Sequence, residues 1–519
     1  MSFESNLQRD HFDFIVCGAG TAGSVVAGRL AENPEVKVLL IEAGGSDEHP
    51  HVLEPGNWPL NLGSDRDWNF SGAANPHLNG REIPLNMGRG LGGGASVNVM
   101  LWARGHKNDW EDFAAESDDP AWGYASVLKI YQRIEDYWGA PDPLRRGSGG
   151  PVHVAPAREV QPIATAMIDA AAGMGLPTYD NPNGLMMEGR GGAAINDLIV
   201  KNGRRNSIYR AYVLPRNGQP NLTVLTDTLV SRLVFRGKRV VGVETISNGQ
   251  VQRYFAEREV VLSVGAVNTP KVLMQSGLGP EDELRRHTIP LVQHLPGVGA
   301  NHQDHVSFAV IFQYETPQAI GYGGSEATLY WSSESSLRLP DMFHCQVEFP
   351  VPSAQTAGPD VPAHGWTMFA GLAHPQSRGQ ITLSGPSAND APIIQPNTLS
   401  HPDDLRCALE NIRFVQELGA QASFKGLVKA ECLPGPADAR SLEHYARNAA
   451  VTYWHQCGTA KMGRDAMSVV DSQLRVYGVE GLRIADASIM PHVTSGNTMA
   501  PCVVIGERAV ESIRATYGI

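Results

Sequence analysis

The sequence contains no CxxC pair and no Cys/His cluster of the zinc type, and its six cysteines (Cys17, Cys345, Cys407, Cys432, Cys457 and Cys502) are scattered. That excludes a disulfide framework or a structural zinc site and reads as buried free thiols. No apolar run approaches the roughly 18 to 20 residues that span a bilayer, and the opening MSFESNLQRDHFD lacks a basic start followed by an apolar segment. A reducing cytoplasm is the expected location. Basic residues are in deficit, 42 against 54 acidic with pI near 5.8, so nothing favours nucleic acid or an anionic membrane as a partner. Repeats and low-complexity segments are absent. Aromatics make up only 7%, beside 55 glycines and 35 prolines, a composition that suits a mixed α/β protein rich in tight turns. At 519 residues the chain exceeds what one core can organise, which predicts two packed, interleaved domains.

What is present begins at Phe12. The run FDFIVC predicts a strand buried on both faces, and Gly18, Gly20 and Gly23 then form GxGxxG. AGSVVAGRLAE has apolar residues at helical spacing and stops before Asn33-Pro34; the strand VKVLLIE follows and ends in Glu42. In that order Gly18 makes the tight turn, Gly20 lets backbone N–H groups approach a pyrophosphate, and Gly23 lets helix and strand pack closely. Glu42 is placed to accept hydrogen bonds from adenosine ribose hydroxyls. This fingerprint serves FAD and NAD alike.

Two further glycine-rich stretches, GRGLGGGASVNVMLWARG from Gly88 and GAVNTPKVLMQSGLG from Gly265, resemble the two signatures of the glucose-methanol-choline (GMC) oxidoreductases. The first departs once, with Ala95 where that family usually has Gly, Ser or Thr. Further matches run in family order: DWNF at Asp67, NLTVLTDTLVSRLVF from Asn221, LPGVGANHQDH from Leu295, WHQCGTAKMG from Trp454, GLRIADASIMP from Gly481 and SGNTMAPCVVIGERA from Ser495. The resemblance implies an α/β fold in which a Rossmann-like FAD-binding domain is interleaved with a substrate domain on an antiparallel sheet. The expected segments are 1–155, 205–305 and 451–519 for the first, and 156–204 and 306–450 for the second. It implies FAD held by Gly18, Gly20, Thr21, Ala22, Gly23, Glu42, Ala43, Trp68, Gly93, Asn98, Val99, Leu101, Val230, Asp486, Ala487, Asn497 and Met499. Valine at position 97 has no nucleophile to bond the ring, so the flavin is expected to be non-covalent.

Oxidising an alcohol on FAD requires hydride to leave carbon and the hydroxyl proton to find a base. The family resemblance places that base at His455, with Asn497 holding the substrate oxygen. A hydrolase nucleophile elbow, GxSxG, does not occur, and HQDH at His302 to His305 lacks a second cluster to complete a metal site. Around the flavin the expected substrate contacts are Val97, Trp366, Tyr453 and Trp454. These apolar and aromatic walls resemble those of 5-hydroxymethylfurfural and aryl-alcohol oxidising members, and point to a flat primary alcohol with O2, a quinone or a dye as electron acceptor. Choline or another aliphatic alcohol, cyanohydrin cleavage without net redox, and a flavoprotein without turnover are the alternatives.

Overall fold

The computed structural model describes residues 11–519, so the reading of the first ten positions as free of a signal peptide lies outside the described residues. Strand β1 (His11–Cys17) leads through Gly18 to Gly20 into helix α1 (Thr21–Leu30), and β2 (Val38–Ile41) follows. The last four residues of β1 and all of β2 are buried, as continuous apolar runs require when helices cover both faces of a parallel sheet. Strand β3 (Gln250–Leu262) completes the centre. The sheet runs Leu222–Leu225, β2, β1, β3, Arg239–Ser247, Leu229–Arg236, and Leu482–Ile484 also pairs with β3. The pairs of β1 with β2 and β3, and of β3 with Leu482–Ile484, are parallel. Their register aligns Cys17 with Ile41 and Leu262, and Leu262 with Ile484. The residues just beyond, Gly18, Glu42, Ser263 and Ala485, therefore share one edge, where parallel α/β sheets bind ligands.

The second sheet is built on β4 (Val306–Tyr314), β5 (Met342–Val347), β6 (Gly365–Leu372) and the short β7 (Ala450–Thr452). Its order is Val428–Leu433, β4, β6, β5, Ala327–Trp331, Gly191–Ile195, Thr178–Tyr179, with β7 also on β4; every pair but the last is antiparallel. Strands of the two sheets alternate along the chain, which supports the proposed division into interleaved segments; the boundary at 450/451 falls inside β7.

Side chains alternate along a strand, and on β6 this decides what faces what. Trp366, Met368, Ala370 and Leu372 belong to a core with the helices Pro162–Gly173 and Pro402–Gly419, while Phe369 joins Phe343, Cys345 and Tyr453 on the other face. The expected role of Trp366 as a substrate contact is therefore corrected. Its indole is fully buried on the helix-covered face, stacked 4.7 Å from Phe312 and 5.3 Å from Phe424.

Gly23 shows the packing that the fingerprint demands: a Cβ there would lie 1.9 Å from the Gly18 carbonyl oxygen. At Gly20 a Cβ would meet no atom within 4 Å, and φ is −67°, so the protein itself has no use for a glycine at that position. Two substitutions check this architecture by chemical denaturation. Gly23→Ala is expected to lose at least the ~1–3 kcal/mol of an overpacked site, against less than about 0.5 kcal/mol for Gly20→Ala. Trp366→Ala is expected to cost ~3–5 kcal/mol, as for other buried aromatics; a loss under about 1 kcal/mol would contradict its place in the core.

Candidate active site

One cavity of about 470 Å³ runs from the edge of the parallel sheet to the inner face of the second sheet. Every residue selected from the sequence lines it except Gly23, which packs helix against strand, and Trp366. At the sheet edge, α1 begins at Gly20 with no side-chain cap and no acidic residue in its first turn. Its first N–H groups are left for an anion. A second helix, α3 (Met499–Tyr517), starts in the same uncapped way, and Thr498 and Met499 line the cavity. Free donors at two helix N-termini, and open space over Gly20, fit a dinucleotide with its pyrophosphate.

The Glu42 carboxylate ties this floor together. It accepts from Ala19 N at 2.9 Å, Gly44 N at 2.9 Å and Gly90 N at 3.1 Å, so three glycine-bearing segments hang on one side chain. Burial pushes its carboxyl up, and those backbone donors pull it back. With three of about four lone-pair positions occupied, one remains for a ribose hydroxyl. Asp486 lines the cavity too, but its oxygens are engaged by Gly265 N (2.9 Å), which begins helix α2 (Gly265–Gln275), by Thr269 Oγ1 (2.6 Å) and by Ser488 N (2.8 Å). Its observed work is capping.

At the other end, His455 Nδ1 lies 2.8 Å from His305 Nδ1, and His305 Nε2 lies 2.9 Å from the Ala373 carbonyl oxygen. A carbonyl only accepts, so His305 Nε2 carries the proton and its Nδ1 is bare. His455 must then donate from Nδ1, which leaves the Nε2 lone pair facing the cavity. There the amide of Asn497 donates at 3.2 Å. Both rings are neutral: burial, followed by the neighbouring His455, holds His305 well below 6.5, and burial takes His455 down to about 3. The arrangement presents one proton acceptor and one amide donor side by side.

The backbone that carries His455 is fixed by Asp304, which accepts from His455 N at 2.8 Å, from Gln456 Nε2 at 3.0 Å and from the Thr452 hydroxyl. Burial pushes the Asp304 carboxyl up to about 7 against these bonds. Trp454, between them, adopts φ of +60°, a conformation that costs a non-glycine residue about 1–3 kcal/mol and is held here by Thr452 Oγ1, 2.6 Å from its N–H. Sequence reasoning took HQDH as part of a family match and as no metal site, with no role for its last two residues, which are the support of the histidine. It also missed Cys345, Val347, Phe349, Val351 and Phe369, which line the cavity from the second sheet and the turn after β5. Among the described residues no cluster of three or more His, Cys, Asp or Glu could hold a metal, and no helix is long and apolar enough to cross a membrane.

The sequence matches the family models described as GMC oxidoreductase over residues 12–307 and 375–506. It is 34% identical to an oxygen-dependent choline dehydrogenase of Brucella anthropi, over 96% of this chain and 95% of that one. An uncharacterised GMC-type oxidoreductase of Mycobacterium tuberculosis is 36% identical, over 97% and 99%. Among solved structures, pyridoxine 4-oxidase from Mesorbium loti superposes with a TM-score of 0.93 at 32% identity, covering 97% of this chain and 99% of the other. The chain thus belongs to the GMC oxidoreductases and is an FAD-dependent oxidoreductase acting on alcohols.

Proposed function

We propose that this enzyme oxidises a primary alcohol borne on an aryl or furanyl ring to the aldehyde, with His455 as base and Asn497 holding the substrate oxygen. The observation that carries the reading is the wall facing His455. Tyr453, Trp454, Phe369, Phe349 and Val347 line the same cavity as His455, and among the described residues the only carboxylates on its surface, Glu42 and Asp486, sit at the parallel-sheet edge and are bound to backbone N–H groups. Such a surface rewards a planar apolar ring. The resemblance to pyridoxine 4-oxidase adds support, since pyridoxine is a heteroaromatic primary alcohol.

FAD, when bound, supplies the hydride acceptor. The chain's own part is to take the hydroxyl proton on His455 Nε2, so that carbon does not build up positive charge as hydride leaves. An arriving hydroxyl displaces the Asn497 amide from that single lone pair, and the freed N–H groups orient the oxygen. Position 97 is valine and lines the cavity, which supports a non-covalent flavin. Electrons then pass to O2, a quinone or a dye.

Choline is the second reading, favoured by the identity to choline dehydrogenases and by the affinity of aromatic faces for quaternary ammonium. Against it stands the lining at the histidine end of the cavity, which among the described residues includes no carboxylate, since Asp304 lies behind His455 and outside the lining.

Three measurements test these assignments. His455→Ala is expected to keep its FAD yet slow anaerobic flavin reduction by ~10² to 10⁴, the usual contribution of a general base; near-parental reduction would remove His455 from the role. Across an alcohol panel, kcat/KM for benzyl and furfuryl alcohols should exceed that for choline and glucose more than tenfold, and Phe369→Ala should lower the aryl values by roughly 2- to 10-fold. Choline as the better substrate would overturn the aryl reading, and turnover of a cyanohydrin without bleaching of the flavin would overturn the redox one. Acid precipitation should release the flavin into the supernatant; flavin retained in the pellet would show a covalent link.

A further inference from the structure

Arg205 is buried, 2% exposed, on the second strand of the hairpin that pairs Val200–Lys201 with Arg204–Arg205. All four of its hydrogen bonds go to neutral acceptors: Nε to Val52 O at 2.8 Å, Nη1 to Ala95 O at 3.1 Å and Asn98 Oδ1 at 2.7 Å, and Nη2 to Asn98 O at 2.6 Å. Three other deeply buried arginines are treated differently. Arg104 and Arg146 share Glu135, Arg146 also meets Asp197, and Arg483 meets Glu259. Arg81 also bonds only to carbonyls, of Arg447 and Ala450, but neither it nor those two residues line the cavity. Burial alone lowers Arg205, to about 9, which leaves it charged at neutral pH. An unpaired charge in a protein interior is costly and is retained where a ligand supplies the opposite sign.

The place of that charge is specific. Ala95 and Asn98, which it grips, both line the cavity. Asn98 Nδ2 reaches Met499 Sδ at 3.2 Å, on the first residue of α3, and Asn497, two residues earlier, bonds His455. A continuous chain of contacts therefore joins Arg205 to the place where the substrate reacts. Oxidation of the alcohol breaks its C–H and O–H bonds, sends hydride to the cofactor and leaves the hydroxyl proton on His455. One negative charge would thereby be added to a cofactor held in the cavity that Ala95, Val97 and Asn98 line.

We propose that Arg205 is a positioning residue for the flavin that also acts electrostatically, its uncompensated charge behind Ala95 and Asn98 favouring two-electron reduction of the bound cofactor. The inference rests on the FAD chemistry of the family and is independent of the alcohol oxidised. The guanidinium fork fixes the loop by geometry, but its effect on reduction is an effect of charge. Lysine should therefore replace it better than glutamine, which keeps hydrogen-bonding capacity without charge.

The test is the two-electron midpoint potential of FAD-loaded parent, Arg205→Lys and Arg205→Gln, measured at neutral pH by reductive titration against a reference dye, with flavin content and thermal unfolding recorded alongside. The glutamine variant is expected to be reduced at least tenfold less favourably, a potential lower by about 30 mV or more for two electrons. The lysine variant is expected to stay within threefold of the parent. A glutamine variant that cannot retain FAD, beside a loaded lysine variant at the parental potential, also counts for the charge. Equal falls in both variants, no fall in glutamine, or loss of flavin from both would overturn the proposal.

Discussion

The 2.8 Å contact between His305 and His455 is the constraint on which the reacting end depends. Two imidazoles meeting Nδ1 to Nδ1 must divide one proton between them, and the division is settled 2.9 Å away, where His305 Nε2 meets the backbone carbonyl of Ala373, just past the end of β6. A histidine in solution exchanges freely between tautomers; here the exchange is suppressed by a group that cannot donate. Asp304, the preceding residue, holds the backbone of His455. Adjacent side chains at the start of one strand thus set the position and the protonation pattern of a residue 150 positions later. Burying such a pair is expensive unless its partners are complete. Both are satisfied here, and the adjoining Trp454 is held in a left-handed conformation by Thr452 Oγ1.

The nucleotide end depends on a parallel logic with a different group. There, backbone donors are abundant and a single acceptor, Glu42, gathers three of them. The carboxylate brings the turn after β1, the turn after β2 and the Gly88–Gly94 stretch to a common centre. Those are the segments whose glycines leave room for a ligand. A residue selected from the sequence for its reach toward a ribose is also the rivet of the floor.

How much of this was legible in the sequence follows from the range of the contacts involved. The strand, turn, helix and strand between Phe12 and Glu42 are local, and each glycine there answers to a neighbour that the motif itself supplies. His455 and Asn497 were legible because their motifs carry them. Trp366 was misread because every residue of β6, GWTMFAGL, is buried. With no polar face to mark the outside, the strand offers no parity, and only pairing with β4 and β5 determines that Phe369 and not Trp366 turns inward. Asp304 and Arg205 were passed over for a related reason: a charged residue in a loop or short hairpin reads as solvated, and its burial is decided by elements far away in the chain.

The electrostatic balance of the cavity unites these features. The chain as a whole carries a formal charge of −12, yet the site is locally positive. Its acids, Glu42 and Asp486, are each neutralised in effect by several N–H dipoles. Two helix N-termini stand open, and Arg205 has no counter-charge behind the loop that borders the reacting end. In a cavity shielded from water such fixed charges are weakly screened. A field of that sign favours a ligand that arrives with a pyrophosphate and gains a further negative charge during turnover. Retention of the cofactor and acceptance of hydride are then two consequences of the same placement of charge, one acting on which molecule stays and the other on how readily it is reduced.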